Sequence, residues 1–240
     1  MRMQSIIRAI YPAQCVACDA ATDDDHGLCG PCWRETHFIS GVICDRCGTP
    51  MQGDDPTEIA QCDDCLRIAR PWGRGRSVMA YDGVGRKLAL SLKHGDRTDL
   101  AVPTAIWMAR AITPLLQPDS VIVPVPLHWV RMLRRRYNQS ALLANGLAKH
   151  VDRVAVPDAL LRPRATPALG GQGRAARFAT LEHAIIPNPR RQARLNGQHV
   201  VLIDDVMASG ATMAAATEAC FGAGARDVDV LTLARAVKDT

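Results

Sequence analysis

The chain has 240 residues, 48% of them apolar, 22% charged and only 4% aromatic. That balance is globular and excludes a disordered or fibrous class. No apolar run reaches the roughly 18 residues that a membrane-spanning helix needs, which argues against membrane insertion. The net charge of +5 is unevenly spread: residues 1–70 carry 6 Lys and Arg against 11 Asp and Glu, residues 71–240 carry 23 against 13. Two units are expected, an acidic one over 1–70 and a basic one over 71–240 suited to an anion. The stretch from Met1 to Ile10 is too short for a secretory signal and is broken by Arg8, so a cytoplasmic location is expected.

Eight of the nine cysteines precede residue 66, in four Cys-x-x-Cys pairs: Cys15/Cys18, Cys29/Cys32, Cys44/Cys47 and Cys62/Cys65. Two thiolates so spaced chelate one Zn²⁺ from a tight turn, and two such turns complete a tetrahedral site. A disulfide framework would need an oxidising compartment. The pairs can join sequentially or interleave in a cross-brace; the sequential solution closes shorter loops at lower entropy cost and is expected here. With four Cys at each site neither metal has an open position, so two structural zincs are expected. Trp33 and Phe38 are expected to seal the small core of this unit, and Cys220 reads as a buried small hydrophobe on a helix.

Residues 71–75 read as a linker. A strand follows over 77–82, a helix over 85–92 stopping near Gly95, and a second helix over 101–116 bounded by Pro103 and Pro118. A short buried strand covers 121–126 and a helix 138–151. Residues 162–177, rich in Gly, Pro and Arg, read as a long mobile loop. A strand over 199–204, a helix over 212–221 and a strand over 227–233 close the chain. Strands alternating with helices predict an α/β fold with a parallel sheet flanked by helices.

One run carries chemistry. An apolar strand ends in Asp204 and Asp205, and a small-residue turn, Ala208, Ser209, Gly210, Ala211 and Thr212, opens a helix. Backbone N–H groups at such a turn bind phosphate. Gly210 lets the backbone approach an anion, and the two acids suit ribose hydroxyls or Mg²⁺. The plainer reading is a surface acid pair with Ser209 as a helix cap.

The run resembles the phosphoribosyl-pyrophosphate motif of type I phosphoribosyltransferases, and the whole chain resembles the ComF family: a double zinc ribbon ahead of a phosphoribosyltransferase-like unit associated with competence. Leu92 to Arg97 and Pro124 to Leu127 with Arg131, Arg135 and Tyr137 to Gln139 resemble family blocks; Arg136 stands where the family has Gly. The stretch from Arg162 through Thr166 to Arg177 resembles its flexible loop, with Leu169 and Thr180 in place of Gln and Asn. The resemblance implies a site for phosphoribosyl pyrophosphate with Mg²⁺. Asp204 and Asp205 would sit at the ribose, residues 208–212 at the 5′-phosphate and Lys93 and Arg97 at the pyrophosphate. Arg174 or Arg177 would close over the site. It also implies single-stranded DNA and competence or helicase-type proteins as partners. The Arg131, Arg134, Arg135, Arg136 and Arg190, Arg191, Arg194 clusters suit a nucleic-acid backbone or a solvated face. A non-enzymatic DNA-binding or regulatory protein on the same scaffold is the alternative function. His94 reads as an exposed loop histidine.

Overall fold

The structure is a computed structural model that describes residues 12–55, 58–165, 174–181 and 183–237. Its centre is a five-stranded sheet of β1 (Gly75–Ala80), β2 (Val121–Pro124), β3 (Val154–Ala155), β6 (His199–Met207) and β7 (Asp227–Arg235), in the order β1-β7-β6-β2-β3. Every pairing in it is parallel. Parallel strands must have both faces covered, and β6 obeys: Val200 and Leu202 enter one core, Val201 and Ile203 the other. In the cysteine-rich part, two short helices, α1 (Gly30–Arg34) and α2 (Asp63–Arg67), carry Cys32 and Cys65 on their buried sides. Helices α3 (Gly83–His94), α4 (Ala101–Ile112) and α6 (Gln139–His150) supply Leu88, Met108 and Leu147 to the second core. Helix α8 (Ala211–Gly222) supplies Ala215 and Ala219 to the first. A two-stranded antiparallel ribbon of β4 (Leu160–Leu161) and β5 (Ile186–Pro187) lies beside it.

Elements follow the sequence expectation with shifted ends. The 101–116 helix ends at Ile112 and gives way to a 3₁₀ turn over Thr113–Leu115. Strand β6 runs three residues beyond Asp204, so the acids lie within the strand rather than after it. The expected 162–177 loop is shortened at its end by helix α7 (Arg174–Leu181). Residues 166–173, Thr166 and Leu169 among them, lie outside those described, as do residues 1–11 and the side chains of Arg174 and Arg177. Among the described residues no helix is long and apolar enough to cross a membrane. Cys220 is fully buried in α8.

The stretch that reads as a linker is clamped instead. Trp72 is 1% exposed, its indole N–H donates to the Arg46 carbonyl, and Arg46 Nη1 donates to the Trp72 and Gly73 carbonyls at 3.0 and 2.7 Å. Burying a Trp this way is worth about 3–5 kcal/mol against Ala. Backbone bonds tie the cysteine-bearing segment to β1, with Ile39 N–H to Val78 O at 2.9 Å and Ala80 N–H to His37 O at 2.8 Å. Gly48, at φ +66°, brings its turn so close that a Cβ would stand 2.8 Å from the Ser77 nitrogen. Trp33 does not seal the cysteine-rich core: it is 54% exposed and lies against Phe38 with centroids 4.7 Å apart. Phe38 meets Trp107 of α4 edge-on at 5.7 Å. The aromatics fasten the two parts together, because four-sulfur clusters leave little core to seal.

Candidate functional site

The chain turns away from β2 on one side, into β3, and away from β6 on the other, into β7. Between β2 and β6 the strand order reverses, and a crevice opens at the carboxyl ends, the usual ligand position in such sheets. Helix α6 is aimed at it by Asn138. That side chain caps the helix, accepting from Ser140 N–H at 3.0 Å, and donates to Val125 O at the exit of β2, also at 3.0 Å. A cap of this kind is worth about 1 kcal/mol. Tyr137 O–H donates to Leu92 O at 2.7 Å and so fixes the last turn of α3, which carries Lys93.

These supports bring five side chains together. Ser140 Oγ donates to Asp204 Oδ1 at 2.7 Å. Lys93 Nζ lies 3.2 Å from Asp205 Oδ2, and Gln139 Nε2 makes a long contact to the same oxygen at 3.4 Å. Asp205, 2% exposed, is therefore paired in the way buried charges require. Asp204 is pushed up to about 7 by burial and, next, by the Asp205 charge, against the pull of the Ser140 hydroxyl and Lys93. It stands at the threshold between the two ionisation states at neutral pH.

A cleft of about 790 Å³ is lined by Lys93, Arg131, Arg134, Arg135, Asp204 and Asp205, among others. A second, of about 460 Å³, adjoins it along residues 206–213 and shares Lys93, His94, Asp204 and Thr212. All five predicted turn residues, Ala208, Ser209, Gly210, Ala211 and Thr212, line the second cleft. Gly210 takes φ +82° as the residue before α8 and gives that helix no side-chain cap. Ser209 Oγ makes only a 3.4 Å contact to Ala211 N–H, so the role of simple helix cap does not describe it. Acids, turn and Lys93 thus meet; Arg97 does not join them. Its guanidinium bonds Asp99 through Nε and Nη2 and lies 3.7 Å from Asp19.

Sequence reasoning passes over three residues of the cleft. Ser140 carries no signal beyond following the Asn138 cap, and Gln139, though it ends a block that resembles the family, is given no role there. Arg162, placed by its sequence at the start of a loop, is 8% exposed; burial and then the Arg131 charge lower its pKa, while Asp204 raises it. His94 lines both clefts, and burial, then Arg135, Lys93 and Arg134, hold its pKa below the usual imidazole range. Arg136 does not line them. It ends helix α5 (Trp129–Arg135) in the left-handed conformation, φ +66°, which is the physical reason for a Gly at that position.

The eight thiols form two sets, Cys15, Cys18, Cys29, Cys32 and Cys44, Cys47, Cys62, Cys65, each with its sulfurs within 4.8 Å of one another. The sequential pairing is the one present. Cys18 and Cys29, and likewise Cys47 and Cys62, have sulfurs 3.6 Å apart; Zn–S bonds of about 2.3 Å in a tetrahedron require about 3.8 Å. The second set fits a Zn²⁺ with four thiolates, a centre of charge −2, in one further respect. Buried Arg235 Nη2 lies 3.8 Å from Cys47 Sγ, and Arg70 Nε donates to Cys65 Sγ at 3.4 Å. These are structural zinc sites.

A double zinc ribbon domain model matches residues 6–66 and a phosphoribosyl transferase domain model matches residues 138–240. DNA utilization protein YhgH of Escherichia coli (strain K12) is 30% identical over 93% of this chain and 97% of its own. The Salmonella typhi protein of the same name is 32% identical over the same shares. Competence protein F of Haemophilus influenzae is 25% identical over 88% of this chain and 91% of its own. Among solved structures, the allosteric regulatory enzyme of purine biosynthesis is 16% identical with a TM-score of 0.41, over 60% of this chain and 30% of that one. With both domains matched and a 30% identity running nearly end to end on both chains, the protein belongs to the ComF family.

Proposed function

We propose that the cleft at the end of β6 binds phosphoribosyl pyrophosphate together with Mg²⁺, and that the protein serves DNA utilization or competence, as its relatives are named. The observation that carries this reading is the meeting of the acid pair Asp204/Asp205 with the 208–212 turn and a cationic wall of Lys93, Arg131, Arg134 and Arg135 in adjoining clefts. The proposed division puts the zinc ribbons in 1–70 and this site in 71–240.

In this reading the turn holds the 5′-phosphate on backbone N–H groups and the open end of α8. Asp204 and Asp205 hold the ribose hydroxyls and face the positive charge that grows on the ring as pyrophosphate departs. Lys93, Arg131 and Arg135 face the diphosphate. Asp204 would also hold the Mg²⁺, which neutralises the leaving group when bound. Arg97, engaged by Asp99, serves as a brace to the first zinc ribbon instead. Titration calorimetry with phosphoribosyl pyrophosphate and Mg²⁺ tests the site: wild type binds, and the Asp204→Asn/Asp205→Asn variant loses most of the heat. Equal heats would remove the acids from the site.

One observation favours a second role in binding single-stranded DNA. Helix α5 has no buried residue and exposes Trp129 by 62% and Leu133 by 72% beside Arg131 and Arg134, an aromatic next to a cationic row of the kind that stacks bases. Arg134→Ala/Arg135→Ala separates the roles. If it lowers phosphoribosyl-pyrophosphate binding and leaves DNA affinity unchanged, the cluster belongs to the small ligand alone.

A further inference from the structure

The two faces of the phosphate turn are built by different parts of the chain. The face toward the cleft is made by residues 207 to 212. The opposite face is held by two arginines, each of which also reaches a sulfur of the second cysteine set. Arg235 Nη1 donates to Met207 O at 2.9 Å and Ala208 O at 2.7 Å, while its Nη2 lies 3.8 Å from Cys47 Sγ. Arg70 Nη1 donates to Ser209 O at 2.7 Å, while its Nε donates to Cys65 Sγ at 3.4 Å. Three consecutive carbonyls are thereby pulled toward the metal side.

Trans peptides, the only kind among the described residues, set each N–H opposite its C=O. Carbonyls of 207, 208 and 209 drawn back by guanidinium groups therefore present the N–H groups of Ala208, Ser209 and Gly210 in the opposite direction. Three neighbouring N–H groups aimed one way make an anion nest. Gly210 closes the same contact: a Cβ there would stand 2.9 Å from both Arg70 Nη1 and Trp72 Cη2, and Arg70 itself lies over the Trp72 ring at 5.5 Å. Among the described residues the first cysteine set shows no such arrangement; its Cys15 sulfur accepts from the Ala17 backbone N–H at 3.4 Å.

We propose that Arg70 and Arg235 are positioning residues that couple the second zinc centre to the phosphate turn, so that the metal at Cys44, Cys47, Cys62 and Cys65 holds the turn in its anion-binding geometry. The inference rests on the reading of 207–212 as a phosphate site. With zinc bound, the thiolates fix the far ends of both guanidinium groups; without it the sulfurs separate and the carbonyls lose their anchors. Linkage makes the effect reciprocal: an anion on the turn must tighten zinc at this centre and leave the first centre alone.

The test uses the full chain carrying two zinc ions. Amide exchange of residues 206–214 is followed by mass spectrometry without ligand, and zinc release to a chromophoric chelator is timed with and without phosphoribosyl pyrophosphate and Mg²⁺. Arg70→Gln is expected to speed exchange at the turn about tenfold while the metal content stays at two. In wild type, saturating ligand slows release of one zinc about tenfold and not the other; Arg70→Gln removes most of that protection, and Arg70→Lys restores part of it. An Arg70→Gln protein with wild-type exchange at the turn, or one in which ligand protects both zincs equally, overturns the coupling. A wild type that binds no ligand, yet whose turn loosens in Arg70→Gln, refutes the proposed ligand and supports the coupling. Should Arg70→Gln fail to fold, Arg70→Lys carries the same readouts at smaller amplitude.

Discussion

The two cysteine sets share one chemistry and do different work. The first, Cys15 to Cys32, joins the core formed by α3, α4 and α6 and is held through aromatic contacts and the Arg97–Asp19 pair at 3.7 Å. The second, Cys44 to Cys65, shares a core with Trp72, Met207 and Ala211 and is tied through Arg70 and Arg235 to the 207–209 carbonyls of the turn proposed to hold phosphate. A ribbon that anchors the sheet from outside can be lost at the cost of stability. One that forms the back wall of a site takes the site with it.

The largest effect that could break this contrast is loss of a zinc ligand. Structural zinc in small domains contributes about 10 kcal/mol or more, so removing one thiolate from either set costs several kcal/mol. Cys65→Ser is expected to lower the melting temperature and abolish the calorimetric heat of phosphoribosyl pyrophosphate. Cys18→Ser, at an exposed ligand of the first set, is expected to destabilise comparably and keep ligand affinity within about threefold. Similar affinities in the two variants would erase the distinction.

Next in size is Gly210→Ala. The left-handed conformation at φ +82° costs a Cβ-bearing residue about 1–2 kcal/mol, and the collision with Arg70 and Trp72 adds to it. Gly41, at φ +75° with nothing within 4 Å of a built Cβ, is the control: Gly41→Ala carries the conformational cost alone. Denaturant midpoints should fall for both, further for Gly210→Ala, and only that variant should lose ligand binding.

Asp204 sharpens the comparison from the cleft side. Its pKa is raised from 3.8 to about 7 by burial and by Asp205, so the folded protein holds this proton more tightly than the unfolded chain does. Stability from this group is therefore greatest below pH 4, declines as pH rises toward 7 and is flat above. Asp204→Asn keeps an acceptor for Ser140 and is expected to gain about 1–2 kcal/mol at pH 8, discounted for the solvent in the cleft. The same proton must leave before Mg²⁺ is held, so wild-type affinity should rise through pH 7 more steeply than that of Asp204→Asn. Parallel pH profiles would remove Asp204 from the metal.

Much of this was legible in the sequence, for definable reasons. Cys-x-x-Cys spacing is local chemistry, and the apolar run into Asp204 and Asp205 is both a strand and a site in one segment. What could not be read is long-range. Arg70 and Ser209, 139 positions apart, meet only because Trp72 is pinned under the second ribbon, and a Pro- and Gly-containing stretch around it imitates a linker. Arg97 fits a motif yet turns to Asp99 and Asp19, because carboxylates nearby capture a guanidinium before a distant cleft can. Ser120, His199 and Asp229 make the opposite lesson: Ser120 Oγ to His199 Nδ1 at 2.7 Å and His199 Nε2 to Asp229 Oδ2 at 3.2 Å look catalytic. All three are buried, Ser120 just ahead of β2, His199 at the start of β6 and Asp229 two residues into β7, where Asp229 also accepts from Arg74 N–H at 2.6 Å, and the group braces the sheet at the end away from the cleft.

The smallest predicted effect tests whether the α5 region is independent of both ribbons. Arg136 ends α5 in the left-handed conformation, and its backbone N–H donates to Met132 O at 2.7 Å, the closing bond of a helix end where Gly is favoured. Its side chain is exposed and lines neither cleft. Replacing it with Gly relieves backbone strain but gives the unfolded chain more freedom, so Arg136→Gly should stabilise by about 0.5–1 kcal/mol. Ligand heat and both zinc-release rates should be unchanged, because no bond from Arg136 reaches the turn or a thiolate. Single-stranded DNA affinity gives the remaining readout. Removing one cation that neutralises a phosphate lowers the log–log salt slope by about 0.7 for a single strand. A shallower slope in Arg136→Gly therefore places DNA on α5 outside the ligand cleft, and an unchanged slope leaves Arg136 as a strained helix end and nothing more.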